Sequence, residues 1–356
     1  MRFQLEELGV PIVQAPMAGG PSTVPLAAAV GAAGGLGFLA AGYRAPEAVS
    51  AEIAELRSLS RAPFGLNVFS PPAGDVPAAA FAAFAAAIAA DAERYGVSVG
   101  EPRFDDDCYG EKVELAIRER VPIVSFTFGS PDPETVERLH AAGSAVWVTV
   151  TDPVEAGIAE RAGADALVAQ GTEAGGHRGY FEDSGRQQDL GLLVLLRLIA
   201  AKTMIPLIAA GGIIDGPGIA AVLCAGASAV QLGTALMLTP EAGTFPAQRA
   251  KLASSDPTRL TRAFSGRTAR GIVNEFMAEH DACAPRAYPQ LNHMTAPIRA
   301  AARRANDPER VNLWAGQAHE LAVSEPAEKL VRELWHQTAE ALQRTSRRCP
   351  GQDSGP

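Results

Sequence analysis

The decapeptide QGTEAGGHRG (170–179) holds four glycines and a single histidine. An imidazole at the end of so bendable a loop can be brought against a bound molecule. As a cation it pairs with an anion, and as a neutral base it takes a proton. The same composition also suits a polar surface loop, so what His177 does depends on where the loop sits. Glu173 reads as a brace of that loop rather than a reacting group. Arg178 reads either as a cover for a site or as a solvated charge.

Two further glycine-rich turns, AAGGIIDG (209–216) and QLGTA (231–235), each follow an apolar run and enter a helical pattern. Paired glycines let backbone N–H groups approach an anion, and a helix start favours negative charge, so both turns suit a phosphate. Tight turning alone would also require Gly211, Gly212 and Gly216. Other chemistries are disfavoured. The lysines (Lys112, Lys202, Lys251, Lys329) lie in helical or flanking stretches, not where a Schiff-base amine would be needed. Asp215 and Glu173 are too few carboxylates for a metal centre. Cys108, Cys224, Cys283 and Cys349 lie far apart with no CxxC, which suggests neither zinc nor a disulfide framework and makes a reducing cytoplasm the simpler compartment. GLGFLA (35–40) fits a loose dinucleotide fingerprint, but its glycines close a helix and open a strand, the reverse of what that site needs.

These groups need a scaffold, and the alternation of the chain supplies one. Short apolar runs at 11–16, 35–40, 64–69, 122–128, 145–150, 165–170, 206–211 and 228–233 read as strands. Helical patterns at 21–33, 46–59, 133–142, 153–162, 190–202 and 216–225 separate most of them. Eight such units predict an α/β protein, a (β/α)8 TIM barrel. The stretches 71–121 and 240–312 interrupt the alternation after the third and eighth strands, on the face where barrels keep their sites. The division expected is a barrel from 1–70, 122–239 and 313–345, roofed by a smaller α-rich lobe from 71–121 and 240–312. Residues 78–96 read as one buried helix, WAGQAHELA and 324–345 as closing helices, the latter with Ser324 and Pro326 at its start. Residues 346–356 read as a disordered tail.

The 356 residues carry a net charge of −9, with basic residues scattered, so neither nucleic acid nor a membrane surface is an expected partner. No signal peptide or membrane span is expected.

APMAGG, GLNVF, QGTEAGGHRG, AAGGIIDG, QLGTALMLTPEAGT, FSGRTARGIVNEF and NLWAGQAHELA occur in this order. Together they resemble the FMN-dependent nitronate monooxygenases, formerly called 2-nitropropane dioxygenases, over about residues 10–335. The resemblance implies a barrel that holds FMN, with its phosphate on the last two turns. It implies flavin contacts from Asn67 and Gln170, backbone from Gly175 and Gly212, and a phosphate cradle of Gln231, Leu232, Gly233 and Thr234 at the start of a last helix. Ala15, Met17 and Ala18 would face the isoalloxazine, and His177 would stand beside flavin N5 and the substrate. Tyr288, Asn292 and His293 would shape the substrate pocket. The implied reaction passes one electron from a nitronate, or from a nitroalkane after proton loss, to FMN, and from the flavin semiquinone to O2. Its products are a carbonyl compound and nitrite. A homodimer is also implied. FMN-dependent enoyl-acyl-carrier-protein reductases, which reduce an activated double bond with NAD(P)H, resemble the same EAGGH and glycine turns. They tend to carry arginine where Ala235 stands and glutamate where Gln170 stands. A nonredox nucleotide-binding barrel would need a mobile cysteine near the sixth strand, and a noncatalytic flavin-binding protein is the remaining alternative.

Overall fold

Near-continuous apolar runs become parallel strands because, with helices outside and side chains filling the interior, such strands have no polar face. The structure, a computed structural model, describes residues 2–71, 78–184 and 187–347. The central sheet contains β1 (Ile12–Gln14), β2 (Gly37–Ala40), β3 (Phe64–Phe69), β4 (Ile123–Thr127), β5 (Ala145–Val150) and β6 (Ala166–Gln170). The two-residue β7 (Gly176–His177) joins another sheet, and β8 (Leu207–Ala210) and β9 (Ala229–Leu232) complete the first. Neighbours are parallel in the order β1-β9-β8-β6-β5-β4-β3-β2. Gln14 N–H donating to Leu36 O at 2.9 Å and Leu36 N–H to Ile12 O at 3.0 Å close the ring. This is the eight-stranded barrel the alternation predicts.

The wall is α1 (Val24–Ala32), α2 (Pro46–Leu59), α5 (Tyr109–Arg118), α6 (Pro133–Ala142), α7 (Pro153–Ala162), α8 (Leu192–Ala200), α9 (Gly216–Cys224) and α13 (Ala327–Ser346). Thr23, Asp132, Asp152 and Asp215 accept hydrogen bonds at the N-termini of α1, α6, α7 and α9, satisfying donors that the helix cannot. Inside the barrel, Phe38 and Trp147 (ring centroids 5.7 Å apart) pack with Ile123, Val168 and Ile208, and Phe3, Leu5 and Leu8 plug the strand starts. Gly65 makes room for this layer, since a Cβ there would lie 2.2 Å from the Phe38 ring. With the bottom filled, only the strand C-termini can hold a ligand.

Above those ends lies a second sheet of β10 (Thr258–Thr261), β11 (Ala269–Ile272) and β7, all antiparallel. With it are α3 (Ala78–Ala87), α4 (Ala89–Arg94), α10 (Pro246–Leu252), α11 (Glu275–His280) and α12 (Gln290–Arg304). Phe84, Ile88, Phe264, Phe276, Leu291 and Met294 form an apolar cluster of their own here. Asp91, at 2.7 Å from His280 Nε2 and also bonded to Arg310, clasps α4 to the chain after α12.

The structure departs from several expectations. Residues 71–121 do not act as one piece, because α5 packs on β3, α2 and α6 in the barrel wall. The helix expected over 78–96 breaks at Ile88 (φ −95°, ψ 4°) into α3 and α4. Phe81, Phe84, Ile88 and Ala92 still face the roof cluster across the break, and the buried side chains are confined to Phe84, Ile88, Asp91 and Ala92. WAGQAHELA forms only a 3-10 turn at His319–Leu321. Ser324 does not cap α13: its hydroxyl donates to Leu238 O, and the Glu241 carboxylate accepts from Ala327 N–H instead. Most of the expected tail, 348–356, lies outside the described residues, while α13 runs to Ser346. Among the described residues no helix is long and apolar enough to cross a membrane.

Candidate active site

Strand alternation sends every second side chain at a strand end into the mouth of the barrel. A cavity of about 880 Å³ opens there under the roof. Ala15, Met17, Ala18, Asn67, Gln170, Gly175, His177, Gly212, Gln231, Gly233, Thr234 and Tyr288 all line it, as do Asn292 and His293. Leu232 does not. Beside inward-facing Gln231 it points outward into the layer beneath the helices, 1% exposed, and its carbonyl accepts from Ala15 N–H at 2.8 Å.

The polar groups are arranged by neighbours that use part of their capacity and leave the rest. The Asn67 amide nitrogen donates to Ser125 Oγ at 2.9 Å and Thr127 Oγ1 at 3.0 Å, so its Oδ1 remains as an acceptor. Gln170 Oε1 accepts from Gly179 N–H at 2.8 Å and from Arg178 at 3.0 Å, and Nε2 donates to His177 O at 3.1 Å. One Gln170 N–H therefore remains. Arg178 is neither a cover nor a solvated charge: it is 0% exposed, beneath the loop, and also bonds the carbonyls of Gln170 and Gly171. Glu173 braces the loop, as its carboxylate accepts from Leu192 N–H at 3.0 Å at the start of α8.

At the two glycine turns, the N–H groups of Gly212 and Gly233 bond no described residue. Gly211 (φ 121°) and Gly212 (φ 68°) adopt backbone that side chains resist, and a Cβ on Gly212 would come within 2.9 Å of Glu173 Cβ. The turn after β9 enters a 3-10 turn at Thr234–Leu236 and not the expected helix. Thr234 Oγ1 accepts from Gly316 N–H at 3.0 Å, which leaves its own proton to donate.

His177 is fixed by the roof. Its backbone pairs with Ala269 through β7 and β11, and Nε2 lies 2.8 Å from Ser265 Oγ. Its ring sits 5.8 Å from Phe128, 5.8 Å from Tyr288 and 5.4 Å from Trp314, centroid to centroid. Burial in this aromatic cage lowers its pKa to about 3, and the nearby Arg267 and Arg299 charges push the same way. The imidazole is therefore neutral near neutral pH, not a cation.

The positive charge comes from arginines. Arg299 donates to Asn292 Oδ1 at 2.7 Å, Asn292 O at 2.8 Å and Thr295 Oγ1 at 3.0 Å. Arg267 bonds the Tyr180 carbonyl and lies 3.9 Å over the Phe128 ring. Among the described residues neither makes an ion pair with a carboxylate. Asp91, Glu279 and His280 approach metal-binding spacing in the roof, but Arg310 bonds both carboxylates and supplies the cation.

Ser265, Phe128, Trp314 and Arg299 were not singled out from the sequence. Ser265 and Trp314 fall within FSGRTARG and NLWAG, so motif order pointed to their segments but not to their contacts.

The nitronate monooxygenase family model matches residues 4–337. A nitronate monooxygenase from Pseudomonas aeruginosa is 41% identical over 337 residues, covering 91% of this chain and 95% of that protein. The solved structure of a nitroalkane oxidase from Streptomyces ansochromogenes superposes with a TM-score of 0.93 at 46% identity, covering 96% of this chain and 99% of that one. FabK from Thermotoga maritima superposes with a TM-score of 0.76 at 28% identity, covering 97% and 98%.

Proposed function

Because this chain belongs to the nitronate monooxygenase family, we propose that it oxidises alkyl nitronates with O2 to a carbonyl compound and nitrite, on bound FMN. The residues present suit that cofactor. Asn67 Oδ1 is an acceptor for a ring N–H, and the remaining Gln170 N–H is a donor to a ring carbonyl. Gly175 must stay bare, since a Cβ would meet Ala315 C at 2.4 Å. The unbonded N–H groups of Gly212 and Gly233 and the Thr234 hydroxyl suit a phosphate. The side chain of Met17 lies against Gly233, its sulfur 3.6 Å from where a Cβ would stand, between phosphate turn and ring site. When bound, FMN supplies a one-electron acceptor for the nitronate and an outlet to O2.

The chain's own groups supply the rest. Ser265 donates its hydroxyl proton to Arg267 O at 3.2 Å, so the His177 Nε2–H donates to Ser265 Oγ. That leaves Nδ1 as the basic nitrogen, able to take the α-proton of a neutral nitroalkane. Arg267 and Arg299, without carboxylate partners, favour the anion so formed. Aromatic walls of Phe128, Tyr288 and Trp314 keep water from it. The observation that carries this reading is a neutral histidine and Arg299, free of carboxylate partners, facing one cavity, with Arg267 buried against the Phe128 ring.

Purified protein loaded with FMN, mixed anaerobically with ethylnitronate, should lose its oxidised-flavin absorbance, and admitting O2 should release nitrite. Flavin that ignores ethylnitronate but bleaches with NADPH would replace this reading with the enoyl reductase.

A further inference from the structure

Non-glycine residues in left-handed backbone store strain of about 1 kcal/mol or more and persist where surrounding structure enforces them. Three meet at one rim of the cavity: Tyr43 (φ 65°), Asp107 (φ 58°) and Cys108 (φ 52°), all lining it. Beneath them is Lys112, 0% exposed on α5, whose Nζ forms an ion pair with Asp107 Oδ2 at 2.8 Å. A buried ammonium is expensive unless it is used. Here it anchors a carboxylate whose other oxygen, Oδ1, accepts from Tyr43 N–H at 2.9 Å. The Tyr43 ring packs edge-on against Phe69 at 5.5 Å, and Phe69 lies 4.6 Å from Phe128 beside His177. The Tyr43 hydroxyl accepts from Tyr288 Oη at 3.2 Å. Its own proton has no acceptor among the described residues. With 41% of its surface exposed, Tyr43 can meet a ligand.

We propose that Tyr43 is a substrate-positioning residue that donates its hydroxyl proton to the anionic end of the substrate, with Asp107 and Lys112 as the buttress that holds it in place. The Tyr288 bond orients the hydroxyl, and Arg299 and Arg267 act on the same end of the cavity. This rests on the nitronate reading, because an anion rewards an unshared hydroxyl proton more than a neutral ligand does.

The test uses FMN-loaded enzyme, ethylnitronate and neutral nitroethane. Tyr43→Phe removes the hydroxyl and keeps the ring on Phe69. Its KM for ethylnitronate should rise about tenfold, the loss of one charge-assisted hydrogen bond. The change in kcat should be smaller, and KM for nitroethane should move by less than about twofold. Asp107→Ala with Lys112→Met should reproduce the ethylnitronate loss. Asp107→Asn with Lys112→Met, which keeps an acceptor for Tyr43 N–H, should restore it. An unchanged KM for ethylnitronate in Tyr43→Phe, or equal losses for both ligands, would overturn the proposal. If wild-type enzyme binds ethylnitronate without oxidising it, the oxidation reading fails alone, and the flavin difference spectrum reports the same comparison as Kd.

Discussion

Lowering the pH from 8 to 5.5 should barely change proton abstraction from nitroethane. Burial lowers the His177 pKa to about 3, helped by Arg267 and Arg299. At pH 5.5, fewer than about 1% of these imidazoles carry a proton, whereas an ordinary histidine, with a pKa of about 6.5, would be about nine-tenths protonated. Initial rates of nitrite release with nitroethane should therefore give a kcat/KM that is flat within about twofold, where an ordinary base would lose about tenfold. His177→Gln should cost about a hundredfold or more on nitroethane and much less on ethylnitronate, which arrives without its proton. Stability follows the same sign. The folded pKa lies below the unfolded one, so the stabilisation is whole above about pH 6.5 and is lost as pH falls towards about 3. A urea midpoint that declines over that window should decline less in His177→Gln. An acid limb in kcat/KM with a midpoint between pH 6 and 7, absent from His177→Gln, would show that the imidazole titrates normally and refute the reasoning.

Gly212→Ala must adopt φ 68° and displace Glu173 from 2.9 Å. A loss of about 2 kcal/mol in stability, with weaker FMN retention, should appear in thermal melts and in the flavin absorbance of desalted protein. Ser265→Ala removes the partner that sets the His177 tautomer. Turnover of nitroethane should fall about fivefold, the equivalent of a hydrogen bond of about 1 kcal/mol, while flavin content holds. Arg310→Met takes the cation out of the roof clasp and leaves Asp91 with His280 as its partner, where the Arg310 and Asp91 side chains are both 7% exposed. Urea unfolding should show a loss of about 3 kcal/mol, and a loss below about 1 kcal/mol would mean that the clasp carries little.

The barrel was legible because its signals are local. A strand buried on both faces must be largely apolar along its three to six residues. The N-terminal caps of Asp132, Asp152 and Asp215 are local as well, and β3, α2, α6, β5 and α7 begin and end where the pattern placed them. The same locality located the glycine turns and the His177 loop at strand ends. It failed where register or distant packing decides. Leu232 sits next to Gln231 in sequence and on the opposite side of the sheet, and α5 was read into the roof because a long insertion hid its return to the wall. What His177 can do was not in its loop at all. Its bonded partner Ser265 lies 88 residues away, and Phe128, Tyr288 and Trp314 come from three other segments. Sequence fixes which groups the chain owns and which face of an element carries them. The proton affinity of one imidazole depends on the water and charge around it, and only the closed tertiary structure sets those.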